Sequence, residues 1–257
     1  MIDQATLQKL IEMRLTNMAD SYREQLKNPQ FKDMMFEERF GILVDIEWSK
    51  RKSNHLTKLI KGASFQQSYA VIENIEYLPD RNLDRNQLLR LSTCTYIEEK
   101  HNLILLGATG AGKSYIGCAL GVSACRNFYK VRYIRLPDLL NELAVARGEG
   151  AFSKVISAYK NVPLLILDEW LLVKLSNTEA RDLLELVEAR HQNCSTIYCS
   201  QFSPAGWAVK IGEDTLAEAI LDRIVHNSYT IVFEYGAHFV PLNSLDLCHL
   251  IRLNCAT

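Results

Sequence analysis

Five short apolar runs alternate with helical stretches between residues 102 and 233, and this alternation limits the possible folds more than any other feature. Strands that are apolar on both faces belong in a parallel sheet that is covered by helices on both sides. The sequence therefore predicts an α/β fold with three layers, whose helices include Tyr115 to Phe128 and Thr178 to Arg190. The predicted strands are Asn102 to Leu106, Val131 to Ile134, Leu164 to Leu167, Ser195 to Cys199 and Tyr229 to Phe233.

The N-terminal region has a different pattern, that of amphipathic helices. One apolar set with helical spacing runs from Leu7 to Tyr22, and a second runs from Phe36 to Trp48. The pattern loosens from Gly62 to Asp80, where polar residues and a proline indicate a linker. The predicted organisation is a small all-helical domain over residues 1–80, the α/β domain over residues 81–240 and a separate tail over residues 241–257.

Composition and cysteine spacing exclude several classes of protein. A chain of 257 residues with 48% hydrophobic content can form one large and one small domain. The net charge of -1 means that nucleic acid would have to meet a local basic face. The 7 cysteines form no C-x-x-C pair and no zinc-ligand pattern, which indicates reduced thiols. No run approaches the ~20 apolar residues of a membrane helix, so we expect a cytoplasmic protein without a membrane partner.

The loop after the first predicted strand matches a phosphate-binding pattern. It reads GATGAGKS, which is G-x-x-x-x-G-K-[ST] between a strand and a helix. In such a loop the backbone N–H groups turn toward phosphates, Lys113 reaches the β and γ oxygens, and the Ser114 hydroxyl coordinates Mg²⁺. A chance glycine turn is the alternative, and the strand and helix on either side argue against it. The expected nucleotide-binding residues are Gly107, Ala108, Thr109, Gly110, Ala111, Gly112, Lys113, Ser114 and Tyr115.

Two carboxylates follow the third predicted strand, in the stretch PLLILDEW. Asp168 and Glu169 thus lie at the carboxyl end of a buried strand, where α/β sheets bind ligands. We expect Asp168 to hold Mg²⁺ through a water or through Ser114, and Glu169 to act as the base for an attacking water or to orient that water. The alternative is an acidic pair that only ends a strand at the surface. A glutamate beside the metal carboxylate favours hydrolysis over transfer to a small acceptor.

Three downstream residues are candidates for contacts with a nucleotide or its attacking water. Ser200 and Gln201 end the fourth predicted strand, which lies beside the acidic strand in sheets of this kind. Either side chain can contact the γ-phosphate or the water, although Ser200 can also be a plain strand-terminating residue. Arg223 lies off the apolar face of its helix, so it is either a solvated residue or an arginine that reaches the nucleotide of a neighbouring subunit.

A basic helix face is the residue-level indication of DNA binding. Residues 48–72 contain five lysines and arginines and no acidic residue. Four of these cations fall within about a third of the helix circumference, opposite an apolar side. Such a face suits salt-sensitive contacts with phosphates that do not depend on base sequence, and a solvated helix face is the alternative. The candidate DNA-binding residues are Lys50, Arg51, Lys58 and Lys61.

The order of these motifs resembles the IstB family of transposition helper ATPases, which belong to the AAA+ clade with the DnaC helicase loaders. The likeness covers most of the chain and is carried by FEERFGILVDIEW, LDRNQLLRLSTCTYIEEKHNLILLG, EARDLLELVEARH and, most specifically, LAEAILDRIVHNSY. It implies an AAA+ core with a parallel sheet, ATP and Mg²⁺ as cofactors, and DNA-stimulated hydrolysis of ATP. It also implies a helper that forms homo-oligomers through its ATP sites on duplex DNA and directs a cognate transposase.

The resemblance also assigns roles by position, and the sequence departs from the family in two places. Arg223 corresponds to the arginine that acts across the subunit boundary, and Ser200 or Gln201 corresponds to the sensor of the γ-phosphate. LDEWL replaces the common LDDFG, which keeps Asp168 and supplies Glu169. The tail YGAHFVPLNSLDLCHLIRLNCAT replaces a basic ending and holds a single arginine, Arg252, so the efficiency of turnover is left open.

Three other functions share the same nucleotide chemistry. A DnaC-like loader would have a replicative helicase as its partner in place of a transposase. A small-molecule kinase would need an acceptor-binding lid, for which the sequence gives no clear signal. A structural adaptor would bind nucleotide without hydrolysing it, and the unusual tail keeps this function open.

Overall fold

The computed structural model describes residues 2–77 and 83–233 of the chain. Its contacts separate two compact units, residues 1–58 and residues 59–257. The predicted tail over residues 241–257, with Arg252, lies outside the described residues. Within the described residues, none of the helices combines the length and the apolar composition that crossing a membrane requires.

The first unit is helical, as the amphipathic pattern predicts, but its first apolar set forms two helices. The break is at Arg14, whose φ of 60° is left-handed and cannot continue a helix. Glu47 then connects the second helix to the third, because its carboxylate accepts the backbone N–H of Met18 at 3.0 Å at the start of the second helix. The helices are α1 (Ile2–Glu12), α2 (Thr16–Lys27) and α3 (Phe36–Ala63), and the last turn of α3 belongs to the second unit.

The second unit contains the parallel sheet that the apolar runs predict. All four strand pairings are parallel, and the strand order is β2-β3-β4-β1-β5. Each predicted strand is present and is longer by a single residue at one end. The strands are β1 (Asn102–Gly107), β2 (Val131–Arg135), β3 (Leu164–Asp168), β4 (Ser195–Ser200) and β5 (Ser228–Phe233).

Helices cover both faces of this sheet, which confirms the three-layer prediction. Ile104, Leu165 and Tyr198 pack into one large apolar cluster with α7 to α11. On the opposite face, α6 passes so close that a Cβ at Gly117 would lie 3.0 Å from the Cys199 thiol. The helices of this unit are α4 (Arg85–Ser92), α5 (Thr95–Glu98), α6 (Lys113–Arg126), α7 (Leu136–Gly148), α8 (Phe152–Lys160), α9 (Asn177–Arg190), α10 (Pro204–Ile211) and α11 (Asp214–Val225).

The segment after α3, residues 64–77, packs against the sheet domain, so the prediction of a linker was wrong for this part. We call this segment the strap. The Phe65 ring lies so close to α6 that a Cβ at Gly121 would come within 2.5 Å of it. The Tyr115 hydroxyl on α6 also lies 3.4 Å from the backbone oxygen of Val71. The apolar residues of the strap are too irregularly spaced to give a helix or strand pattern. Asp80, the last residue of the predicted linker, lies outside the described residues.

A buried arginine joins three elements at the amino end of the sheet. Arg190 is 3% exposed and donates to the backbone oxygens of Tyr159 at 2.7 Å and Val162 at 2.8 Å. It also donates to the Ser195 backbone oxygen and to the Thr196 hydroxyl. Burial lowers the pKa of Arg190 to about 10, so the guanidinium stays charged at pH 7. Carbonyl and hydroxyl oxygens therefore balance this buried cation, since no carboxylate pairs with it in the described part of the chain.

Candidate nucleotide-binding site

The predicted phosphate loop has the backbone geometry of an anion cradle. Gly110 and Gly112 have φ values of 82° and 90°, in a region where residues with a Cβ are strained. The loop runs from the end of β1 into α6, and no side chain caps the first turn of that helix. Its N–H groups, together with the positive end of the helix dipole, are therefore available to a phosphate.

Lys113 is held inside this loop. Its ammonium donates to the backbone oxygens of Gly107 and Ala108, each at 2.7 Å, and the residue is 8% exposed. Burial lowers the pKa of Lys113, while the nearby Cys199 and Asp168 act in the opposite direction. The two carbonyls replace part of the lost hydration, and a bound phosphate would offer a charged partner in their place. Ser114 follows in the first turn of α6, half-buried beside the same loop.

Asp168 ends β3 at the same edge of the sheet and is 4% exposed. One carboxylate oxygen accepts the backbone N–H of Glu169 at 2.8 Å, and the other accepts the hydroxyl of Tyr133 at 2.7 Å. No lysine or arginine forms an ion pair with it among the residues that the structure describes. A buried carboxylate with unused lone pairs, at the same edge of the sheet as the Ser114 hydroxyl, supplies the hard oxygen ligands that Mg²⁺ prefers. These residues fit a Mg²⁺–triphosphate.

Tyr133 was not identified from the sequence, because a tyrosine inside an apolar strand looks like a core residue. It lies on β2 opposite Ile166 of β3, and it donates its hydroxyl proton to Asp168. Burial, followed by the bond to this carboxylate, raises the pKa of Tyr133 far above its ordinary value. The hydroxyl therefore stays protonated and fixes the orientation of the carboxylate.

Glu169 is paired with an arginine that the sequence did not single out. The Arg135 guanidinium donates to the Glu169 carboxylate at 2.8 Å, and Arg135 ends β2 opposite Asp168 of β3. Glu169 itself has a left-handed backbone, with φ of 51°, at a cost of about 1 kcal/mol or more. Arg135 directly follows a predicted strand, as Asp168 does, and this position was the sequence signal that could have identified it as a residue of the site.

Ser200 and Gln201 differ in what they can reach. Ser200 is 1% exposed, and its hydroxyl donates to the Trp170 backbone oxygen and accepts the indole N–H of Trp207, each at 2.9 Å. The hydroxyl is thus engaged inside the protein. Gln201 is the next residue and is exposed at the same end of β4.

Arg223 lies at the opposite end of the sheet from the phosphate loop of its own chain. It is in the last turn of α11, just before β5 begins, whereas the loop follows the end of β1. These two strands pair in parallel over six residues, a length of about 20 Å. Arg223 pairs with Glu188 at 2.7 Å and remains partly exposed. Arg223 is therefore too far from the phosphate loop of its own chain to contact a nucleotide there. An arginine that acts on the nucleotide of a neighbouring subunit would have such a position.

The four candidate DNA-binding residues all lie on α3, but they are not equivalent. The Arg51 guanidinium donates to the Glu47 carboxylate at 2.7 Å and to the Arg14 backbone oxygen at 2.8 Å, so part of its role is structural. Lys50, Lys58 and Lys61 are exposed, and no ion pair involves them within the described ranges. These three lysines are the cations that α3 leaves available to phosphates.

Comparison with known proteins gives consistent matches. The model of the family described as "IstB-like ATP binding protein" matches residues 8–236. The "Putative insertion sequence ATP-binding protein y4pL" of Sinorhizobium fredii is 39% identical over 90% of this chain and 94% of its own length. A second protein named for an insertion sequence and ATP binding, from Pseudomonas fluorescens, is 38% identical over 78% of this chain and 87% of its own. The crystal structure of the DnaC helicase loader shares the fold, with a TM-score of 0.54 and 20% identity over 64% of this chain and 97% of that one.

Proposed function

Because the chain belongs to the IstB-like ATP-binding protein family, we propose that it is an ATP-dependent, DNA-binding helper of transposition. In this proposal it forms homo-oligomers on duplex DNA through its ATP sites, hydrolyses ATP and directs a cognate transposase in the cytoplasm. The observation that carries the proposal is the convergence of the phosphate loop, Asp168 and Glu169 at one edge of the sheet. The exposed lysines of α3 support the DNA-binding part.

The residues of the site divide the chemistry of hydrolysis among them. The N–H groups at the start of α6 and the Lys113 ammonium hold the phosphates, and Asp168 with Ser114 holds the metal ion. Bound Mg²⁺ would neutralise charge on the β and γ oxygens as the bond to the leaving group breaks. Glu169 accepts a proton from the attacking water, and Gln201 orients that water or the γ-phosphate. Arg223 of one subunit stabilises the charge at the nucleotide of the next.

Replacing Arg135 with alanine should raise the basal rate of ATP hydrolysis by several-fold. The ion pair at 2.8 Å occupies the carboxylate of Glu169, which must be free to accept a proton from water. Phosphate release without DNA measures this rate, and Lys130→Ala, an exposed cation just before β2, is the matched control. A lower rate in Arg135→Ala would show that the arginine helps the base instead of restraining it.

Replacing Lys58 and Lys61 together with alanine should weaken binding to duplex DNA of any sequence. Each phosphate contact releases counterions, so losing two contacts should reduce the slope of log affinity against log salt by about 2. Fluorescence anisotropy of a labelled duplex over a range of salt concentrations measures this slope. Lys9→Ala with Lys32→Ala removes two exposed lysines that lie outside α3 and should leave the slope unchanged. An unchanged slope in the first variant would place the DNA contacts elsewhere.

The proposed function as a whole is tested by sedimentation and phosphate release. With duplex DNA and a non-hydrolysable ATP analogue, the protein should sediment as a higher oligomer, and DNA should stimulate hydrolysis of ATP. A monomer under these conditions would overturn the proposal. A pull-down should recover the transposase; recovery of a replicative helicase alone would instead assign the role of a helicase loader.

A further inference from the structure

Two hydrogen bonds connect the candidate metal carboxylate to the segment that follows the basic helix. The Tyr133 hydroxyl lies 2.7 Å from Oδ2 of Asp168 and 2.9 Å from the side-chain oxygen of Gln66. Tyr133 is buried, whereas Gln66 lies on the strap near the surface. A chain of contacts therefore runs from the strap through β2 to the end of β3.

The direction of these bonds follows from the groups involved. A hydroxyl has one proton to donate, and the carboxylate of Asp168 is a stronger acceptor than an amide oxygen. The proton of Tyr133 therefore goes to Asp168, and the amide of Gln66 is best oriented with its NH₂ group toward the tyrosine oxygen. In this arrangement each residue fixes the next, and only Gln66 has access to the surface.

Gln66 lies between two residues of the strap that contact α6. Phe65 packs in the gap that Gly121 leaves on α6, and Val71 is bonded to Tyr115 further along the strap. Lys61, in the last turn of α3, lies five residues before Gln66 in the same compact unit. A shift of that last turn on binding DNA would therefore be transmitted to Gln66.

We propose that Gln66 and Tyr133 are positioning residues that couple DNA binding at the last turn of α3 to metal–nucleotide binding at Asp168. The proposal rests on the proposed function, since it requires both ligands. Coupling of two binding sites is reciprocal: DNA should tighten the binding of the metal–nucleotide by the same factor as the metal–nucleotide tightens the binding of DNA. Factors of this kind typically lie between about 5 and 150.

The test measures this factor in binding experiments, without hydrolysis. A fluorescent non-hydrolysable ATP analogue is titrated with Mg²⁺ into the full chain, with and without a 30-base-pair duplex, and the duplex is titrated with and without the analogue. The wild-type chain should show the same factor in both directions, at least about fivefold. Tyr133→Phe and Gln66→Ala should each bring the factor close to one while DNA affinity without nucleotide stays unchanged.

Two control variants separate coupling from a general loss of stability. Tyr159→Phe removes the hydroxyl of another buried tyrosine, which also donates to a carboxylate, that of Glu142 on α7. Ser68→Ala changes an exposed residue of the strap two positions after Gln66. Both controls should keep the wild-type factor.

The outcomes distinguish this proposal from the function on which it rests. A wild-type factor above one that persists in both Tyr133→Phe and Gln66→Ala overturns the coupling alone. A wild-type chain that binds the metal–nucleotide but no duplex overturns the proposed function and the coupling with it. Gln66→Asn keeps the amide but has a side chain that is one methylene shorter. Compared with Gln66→Ala, it should restore less than half of the logarithm of the coupling factor. Full restoration by Gln66→Asn would contradict the bond to Tyr133.

Discussion

Lys113→Ala is expected to abolish ATP hydrolysis, with a loss of at least about 100-fold, the size found when one donor to a developing negative charge is removed. The ammonium lies within the phosphate loop, and its two partners there are neutral carbonyls at 2.7 Å. A γ-phosphate is a stronger, charged acceptor, and its charge must be balanced as the bond to the leaving oxygen breaks. Phosphate release from the intact chain and the variant measures the loss, and the exposed Lys130→Ala should hydrolyse ATP normally.

Mixing variants tests whether the nucleotide is shared between subunits. Arg223→Ala alone should also be inactive, because the loop of each chain would lack the arginine of its neighbour. A mixture of Lys113→Ala and Arg223→Ala should recover part of the activity, since a subunit without the lysine can still lend its arginine to an intact loop. No recovery in mixed oligomers would contradict the role of Arg223, and a fully active Lys113→Ala would contradict the site itself.

Arg190→Ala is expected to destabilise the protein by about 3 to 5 kcal/mol, the cost of removing one partner from a buried charged network. The arginine is 3% exposed, and its loss leaves the carbonyls of Tyr159, Val162 and Ser195 without their donor. Together with the cavity that the side chain leaves, this should lower the melting temperature by about 10 °C. Calorimetry or circular dichroism during heating measures the shift.

Two further variants show whether the effect belongs to this network. Arg181→Ala, an exposed arginine on the same helix α9, should change stability by less than about 0.5 kcal/mol. Arg190→Lys keeps the charge but has fewer donors and no planar fork, so its stability should lie between those of the wild type and Arg190→Ala. A melting temperature of Arg190→Ala equal to that of Arg181→Ala would mean that water replaces the lost donor.

The sheet and the phosphate loop could be predicted from the sequence because both are local patterns. Apolar runs with no polar face gave all five strands of the described sheet, each within one residue at its ends. The loop depends on seven consecutive positions after Gly107, and Asp168 directly follows an apolar run. The helix break at Arg14 was missed, because the apolar spacing continues on both sides of a single left-handed residue.

The connections within the site could not be predicted, because they join residues far apart in the sequence. Tyr133 and Asp168 are 35 residues apart, and Gln66 and Tyr133 are 67 apart. Neither pair has a spacing that points to contact, since contact depends on which strands become neighbours in the sheet. The ion pair between Arg135 and Glu169 depends on the same strand order. Sequence patterns therefore identify Lys113, Asp168 and Glu169 at this edge of the sheet but not Arg135, and the folded structure alone shows which of these groups restrain one another.

The packing of the strap also bears on how such genes exchange parts during evolution. Phe65 and Gln66 lie in the stretch that the sequence pattern predicts to be a linker, yet they contact Gly121 and Tyr133 of the nucleotide-binding unit. A recombinant joined after the strap would combine these side chains with a foreign α6 and β2. We expect viable chimaeras to have their junction upstream of residue 64, so that the strap is inherited with the nucleotide-binding unit and not with the helices before it.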